Sequence, residues 1–415
     1  MSKLDELIKK LCPDGVEYKK IKDVYTRLRG TPITASKMKE IENPNGDIRI
    51  FAGGKNAINA FANDIPNLNV VDKPAVLVQS RGIIDFIYYE RPFTFKNEMW
   101  AYTNEDKVSV KFLYYVLKNN ALHFRELASG MGSLPQISLR VTEEFRVPVP
   151  PLEVQSEIVK ILDNFTELTA ELTAELTARK KQYEYYRNRL LTFDTASHIK
   201  KVKLGDVAKV TKLAGFEFTK YVTYVEKGHI IALRGLNVKN GNLDLCDVKY
   251  IDGSDLSKLE RSKLHVGDML FTYVGTIGQV ALIDKEDTYY LAPNVALIRA
   301  DKNVLLPEYM RFYFQSSLFW DTQIKRLLQS SSMKNIPMEK IRKFELLVPP
   351  IDVQRRLVHV LDNFDKVCND LHIGLPAEIE ARKKQYEFYR DSLLTFLEKG
   401  ESILTEQNRT KVRPD

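Results

Sequence analysis

The strongest constraint on this chain is that it repeats itself. The hexapeptide Pro150-Pro151-Leu152-Glu153-Val154-Gln155 returns as Pro349-Pro350-Ile351-Asp352-Val353-Gln354. Leu162-Asp163-Asn164-Phe165 returns unchanged as Leu361-Asp362-Asn363-Phe364. The block ARKKQYEYYRNRLLTF, residues 178–193, returns as ARKKQYEFYRDSLLTF, residues 381–396, differing only at Tyr185/Phe388, Asn188/Asp391 and Arg189/Ser392, so thirteen of sixteen positions are identical. The copies are offset by 199 residues at the Asp-Asn pair and by 203 at the Arg-Lys-Lys block, which makes the first spacer four residues shorter. That spacer carries a tetrapeptide tandem, Thr169-Ala170-Glu171-Leu172 followed by Thr173-Ala174-Glu175-Leu176. The second spacer is unrelated and contains Gly374 and Pro376.

Both copies read as helical. Ile158, Ile161, Leu162, Phe165, Leu168, Leu172 and Leu176 recur at spacings of three and four, and Tyr183, Tyr186 and Leu190 continue the stripe between charged residues. Leu357, Val360, Leu361, Phe364, Val367 and Leu371 form the second stripe, completed by Tyr386, Tyr389 and Leu393. Each Pro-Pro pair marks a helix start, and Pro376 fits the first turn of a fresh helix, where a missing N–H costs little. Stripes of this length either pair as a coiled coil or pack each on its own domain; their length favours pairing.

Before each helical block lies a region of about 150 residues, an ordinary domain size. The two regions diverge, yet Ile21-Lys22-Asp23-Val24 resembles Leu204-Gly205-Asp206-Val207, and Ser133-Leu134-Pro135 resembles Asn335-Ile336-Pro337. Residues 75–82 and 266–278 each read as a strand entering a glycine-containing turn and then a second strand. Helical patterns over Val110–Leu127 and Pro307–Leu328 make each region a mixed α+β domain. One diverged domain and one almost unchanged helix, each present twice, describe two unlike readers on a common frame that shows the same surface twice.

Composition narrows the class without naming it. The 415 residues are 44% hydrophobic and 28% charged, as in a globular protein, and the net charge of +7 favours polyanions only modestly. Cys12, Cys246 and Cys368 are scattered without ligand spacing, so neither a disulfide framework nor a zinc site is expected, and a reducing cytoplasm is the natural setting. No apolar run spans a bilayer, and the charged, helix-like segment Met1–Lys10 does not read as a signal peptide.

Catalytic patterns find no foothold. There is no Walker A lysine loop, and neither Pro-Pro pair follows asparagine as an adenine methyltransferase site requires. Phe51-Ala52-Gly53-Gly54 reads as a turn. Pro13-Asp14 with Glu17-Tyr18-Lys19 resembles a nuclease set but is spaced too tightly to surround a metal. His123, His229 and His265 lack nucleophile or ligand partners at recognisable spacing.

The Pro-Pro-[Leu/Ile]-acidic-Val-Gln segment, the Leu-Asp-Asn-Phe turn, the Ala-Arg-Lys-Lys-Gln-Tyr-Glu helix and the TAEL tandem together resemble the specificity subunit of type I restriction–modification systems. The resemblance runs from about Lys19 to Phe396. It implies an α+β chain of two mixed target recognition domains in a pseudo-twofold arrangement, separated by long repeated helices that pair as an antiparallel coiled coil. The expected boundaries are a first target recognition domain at 1–149, a first helical spacer at 150–196, a second target recognition domain at 197–348, a second spacer at 349–397 and a flexible tail at 398–415. It further implies a non-catalytic chain that reads a bipartite double-stranded DNA site and docks two adenine-methylating subunits, which restriction subunits with translocase activity join. No cofactor is then expected in this chain; S-adenosylmethionine, ATP and Mg²⁺ belong to the partners. Two other readings stay open: a specificity subunit for one fused restriction–methylation partner, and a coiled-coil adaptor without DNA contact.

Base reading needs Arg, Lys, Asn or Gln at groove-facing loop tips. The candidates are Lys55, Asn56, Gln79 and Arg81 in the first domain and Arg234, Asn237, Lys239, Tyr273 and Thr276 in the second, with Lys334 and Asn335 in a polar loop. Partner docking is assigned to the repeated face, Arg179, Lys180, Tyr183 and Tyr186 with their copies Arg382, Lys383, Tyr386 and Tyr389. The alternative, tyrosines in a helix–helix seam and solvated basic residues, fits the sequence equally well. A TAEL unit adds roughly 6 Å of helix, so the tandem is expected to act as a ruler between half-sites.

Overall fold

The architecture was obtained as a computed structural model that describes residues 3–53, 56–128, 134–193, 199–213, 215–329, 335–370 and 372–396. The expected tail at 398–415 lies outside the described residues. Two compact units emerge: Met1–Glu171 joined by the stretch that begins at Glu380, and Leu172–Ile379.

In the first unit the strands are β1 (Tyr18–Lys20), β2 (Thr26–Leu28), β3 (Ile48–Phe51), β4 (Ala57–Ala60), β5 (Ala75–Gln79), β6 (Asp85–Tyr89), β7 (Phe93–Phe95), β8 (Trp100–Thr103) and β9 (Arg146–Pro148). An antiparallel sheet of order β2-β8-β5-β6 lies at the centre, a second sheet of order β4-β3-β7 contains the parallel pair β3·β7, and β1 pairs with β9. Strand β5 is buried along its whole length, because both of its faces are covered. Val76 and Val78 share a core with Tyr102 and with Val110, Leu113 and Leu117 of the helix Lys107–Asn119. Ala75 and Leu77, pointing the other way, share a core with Phe51, Phe93 and Phe95 of the second sheet. Asp106 caps that helix, accepting from the backbone N–H of Val108 at 2.7 Å.

The second unit repeats the plan with other residues. Its strands are β10 (Lys200–Lys203), β11 (Ala208–Lys212), β12 (Ile231–Leu233), β13 (Val238–Lys239), β14 (Asn242–Leu243), β15 (Met269–Thr272), β16 (Val280–Leu282), β17 (Tyr289–Leu291), β18 (Val295–Ala300) and β19 (Glu345–Val348). The central sheet runs β11-β18-β15-β16, the parallel pair is β12·β17, and β10 pairs with β19. Met269 and Phe271 share a core with Tyr309, Met310 and Phe312 of the helix Pro307–Phe314, while Leu270 and Leu297 share another with Leu233 and Leu291. Each reader is therefore a helix on a sheet on a smaller sheet.

The two spine segments follow directly from the repeats. One helix runs unbroken over Leu152–Leu191, 40 residues, and its residues divide between the units at Glu171 and Leu172. Its counterpart is two helices, Ile351–Asn369 and Leu375–Leu394. The break follows from local chemistry. The Asp370 carboxylate accepts from the backbone N–H of His372 and Ile373, and a Cβ at Gly374 would sit 2.4 Å from the Lys366 carbonyl oxygen. Pro376 then falls in the first turn, as expected.

The Pro-Pro motif also has a structural reason. Proline cannot donate, so the helix start is closed by acceptance: the Pro151 carbonyl receives the N–H of Val154 and Gln155. The buried Gln155 side chain folds back to donate to the Pro150 carbonyl at 2.8 Å, and Gln354 does the same to Pro349 at 2.8 Å.

Candidate nucleic-acid interface

Each reader carries a cleft at the same place in its strand plan. It opens where the parallel pair ends and where the first turn of the central hairpin begins. In the first unit it occupies about 700 Å³ and is lined by residues following β3, β5 and β7, including Asn56, Arg81 and Lys96. In the second it occupies about 640 Å³ and is lined by residues following β12, β15 and β17, including Arg234, Thr276 and Asn294.

The backbone around the two clefts superposes in pattern. Gly82 (φ 79°) and Gly275 (φ 76°) occupy matching left-handed positions at the hairpin tips, with nothing within 4 Å of an added Cβ. Glycine is required there by conformation, not by space. The N–H of Ile137 donates to the Ser80 carbonyl at 2.9 Å, and that of Ile336 donates to Tyr273 at 2.9 Å. Arg81 bridges Gln136, and Val274 bridges Asn335. These bonds correct the register expected from sequence: Asn335-Ile336-Pro337 corresponds to Gln136-Ile137-Ser138, not to Ser133-Leu134-Pro135. Proline was a misleading marker because it occurs on different sides of the matching isoleucine.

The linings differ in chemistry. Arg81 and Asn56 are exposed in the first cleft, and Lys39 and Lys96 join them, Lys96 paired with Glu98 at 2.7 Å. The second cleft presents exposed Thr276, exposed Tyr224, and Asn294 at φ 69°, while half-buried Tyr273, on the adjoining strand end, packs toward the core of Met269 and Phe271. Burial raises the Tyr224 hydroxyl above its ordinary range against the pull of Arg234, and burial likewise raises Tyr273, so both remain neutral donors. Lys39, Lys96, Tyr224 and Asn294 were missed from sequence because they meet the hairpin tips only through folding.

Two expected readers of bases are displaced inward. Gln79 is 2% exposed, because it ends a strand covered on both faces. Asn237 is 0% exposed, with its amide donating to the Asp244 and Asp247 carbonyls at 2.8 Å and its oxygen accepting from the Arg234 N–H at 3.0 Å. Its role is to hold the loop. Arg234 reaches Asp247 at 3.0 Å, and Lys239 reaches Asp244 at 2.5 Å. The Lys239 ammonium, then the backbone N–H of Cys246, pull the Asp244 carboxyl down to about 2. Both cations are thus engaged within the reader, though exposed pairs of this kind exchange at low cost. Asn335 is exposed beside its hairpin, while Lys55 and Lys334 lie outside the described residues.

On the spine, the tyrosines settle into helix–helix seams. Phe364 stacks with Tyr183 at 6.4 Å and Tyr186 at 5.7 Å between ring centroids. In the other unit, Phe165 meets Tyr386 at 6.4 Å and stacks with Tyr389 at 5.4 Å. The same aromatic triplet is thus built twice from the repeated residues. In the second unit the pairing is antiparallel: Arg179 and Lys180 act on the Cys368 thiol, while Tyr183 and Tyr186, further along, lie against Phe364, earlier in its helix. Tyr183, 5% exposed, is removed from the docking face expected of it. Arg179, Lys180 and Lys383 are exposed, Arg382 is half-buried beside Gln385, and Tyr186 and Tyr389 keep an exposed edge.

Residues 13–179 and 197–381 each match the family model of the type I restriction modification DNA specificity domain. The chain belongs to that family. A type I restriction enzyme EcoR124I/EcoR124II specificity subunit of Escherichia coli is 30% identical over 366 residues, covering 84% of this chain and 87% of the relative. A putative type I restriction enzyme specificity subunit of Haemophilus influenzae is 29% identical over 322 residues, covering 73% and 77%. The crystal structure of a type I restriction-modification S subunit from M. genitalium shares the fold, with a TM-score of 0.58 at 15% identity, covering 92% of this chain and 96% of that one. As a specificity subunit, the chain supplies DNA recognition to a type I complex and not its catalysis. Among the described residues no helix is long and apolar enough to cross a membrane, and no cluster of three or more His, Cys, Asp or Glu is placed to hold a metal ion.

Proposed function

We propose that each reader recognises one half of a bipartite double-stranded DNA site through its cleft and hairpin tip, and that the repeated spine faces dock two adenine-methylating subunits in the cytoplasm. Restriction subunits with translocase activity join through them, and S-adenosylmethionine, ATP and Mg²⁺ act in those partners. The observation that carries this reading is one backbone cleft built twice with two unlike linings, on spine segments whose repeated motifs scarcely differ. In the first cleft Arg81 supplies the donor pair that suits a guanine edge in the major groove, and Asn56 the donor and acceptor that suit an adenine edge. At the second, Thr276 in the cleft and Tyr273 and Asn335 beside the hairpin tip supply hydroxyl and amide groups, and Arg234 and Lys239 serve phosphates. Exposed Arg179, Lys180 and Lys383, with half-buried Arg382, flank the two seams and offer matching basic faces to identical partners.

Genome-wide mapping of methylated adenines with and without this chain tests the proposal. A bipartite motif that vanishes with the chain is expected, and exchange of residues 197–348 should change one half of it only; a continuous motif, or none, refutes the reading. The TAEL tandem is the ruler within it. One further unit should lengthen the gap between half-sites and leave both half-sites unchanged, and an unaltered gap ends that part of the proposal.

A further inference from the structure

We infer that the repeated spine residues Asp163 and Asp362 form a common seat, extended by Gln354 in the second copy, that accepts unrelated readers and fixes the angle at which each presents its hairpin tip. The inference rests on the reading of each domain as the recogniser of one half-site. No residue of the seat touches a cleft, so these are positioning residues.

The aspartate is the same in both copies, but the answer from each reader is different. In the first unit Asp163 accepts from the Tyr115 hydroxyl at 2.5 Å and pairs with Lys111 at 2.8 Å. These two lie four residues apart on the helix Lys107–Asn119, and so share a face. In the second unit Asp362 pairs with Arg311 at 2.9 Å, on the helix Pro307–Phe314, and Asp365 stands 3.6 Å from the same guanidinium. Gln354 grips that reader further, donating to the Val304 carbonyl at 2.8 Å and accepting from the Leu306 N–H at 2.9 Å. The buried Gln155 oxygen has no such partner. Identical spine groups thus meet donors that each reader brings independently.

The energetics favour orientation over stability as the purpose. The Arg311 side chain is only 10% exposed, and burial raises the Asp362 carboxyl against the pull of Arg311. A pair whose desolvation outweighs its attraction adds little stability but fixes geometry. The geometry then passes to the cleft. In the first reader the seated helix shares a core with β5 and is tied to β6 by Lys118 and Asp85 at 2.5 Å; these strands lead into and out of the turn that carries Arg81. In the second the seated helix shares a core with β15 and β16, which flank the turn that carries Thr276.

The test uses the full chain assembled with its methylating partners. Methylation is measured on the cognate site and on sites with single mismatches in either half. For Asp362→Ala, discrimination should fall about tenfold in one half-site only, the scale of a single base-pair mismatch. Asp163→Ala should show the complementary pattern. The milder Arg311→Lys and Tyr115→Phe should move the same half-sites in the same direction by less, which covers the case in which an alanine variant does not assemble. Equal loss in both halves, or unchanged discrimination in all four variants, overturns the seat. A wild-type complex that methylates no bipartite motif overturns the functional reading instead.

Discussion

Placed side by side, the two readers share the order of their strands and the position of their left-handed tip glycine, yet their clefts share hardly a side chain. Arg81 and Lys96 line one; Thr276, Tyr224 and Asn294 line the other. The spine segments behave oppositely: one helix is unbroken and the other interrupted, yet they repeat side chains down to the Phe165 and Phe364 aromatic triplets. The contrast shows where freedom lies. A strand plan is held by alternating apolar faces that many residues can supply, whereas a seam of interlocking rings and a helix start closed by a folded-back glutamine tolerate few.

The comparison can be broken experimentally at several depths, and the two tryptophans help, since Trp100 lies in the first unit and Trp320 in the second. The largest effect is expected for Leu162→Ala and Leu361→Ala, both 0% exposed. Each should cost about 2–5 kcal/mol in urea unfolding of its own unit, followed in single-tryptophan variants. Similar costs support equivalent seams; a twofold difference in cost separates them.

Asn237→Ala comes next, at about 1–3 kcal/mol, because it removes the buried amide that ties the Asp244 and Asp247 carbonyls to the Arg234 backbone. It should shift only the Trp320 signal, and movement of Trp100 as well would contradict a role confined to one reader. Gly82→Ala and Gly275→Ala should each cost about 1–2 kcal/mol through backbone strain alone, since open space surrounds both. Unequal penalties would show that the tips are not counterparts.

The smallest effect is a titration. The Asp244 carboxyl is depressed to about 2 by Lys239, so the contribution of this pair is complete above the ordinary carboxylate range and fades as pH falls through about 2. Carboxyl NMR should find that midpoint; a value of about 4 would mean that Lys239 is free.

The frame was legible in the sequence because its signals are local. Proline pairs that cannot donate, stripes of period 3.6 and a Gly-Pro interruption each act within a few residues, and the helices start and break where those signals stand. The hairpins at 75–89 and 269–282 were legible for the same reason. The clefts were not. Their linings gather from the ends of strands more than forty residues apart, so Lys39 and Asn294 carried no mark of their position. Gln79 and Asn237 looked like tip residues because polarity suggests exposure, but a strand covered on both faces and a carbonyl-rich loop drew them inside. The seam tyrosines were ambiguous because a ring with one wet edge suits both a seam and a docking face.

One consequence follows from the way each unit draws on the chain. The second unit is a single uninterrupted stretch, but the first needs residues from Glu380 onward to cover Phe165. A ribosome that delivers the amino-terminal reader first therefore cannot let it finish first: its apolar flank stays bare until the last helix emerges. The order of completion is the reverse of the order of synthesis: the later-made unit has all of its residues once Ile379 is out, before the earlier-made unit receives Tyr386 and Tyr389.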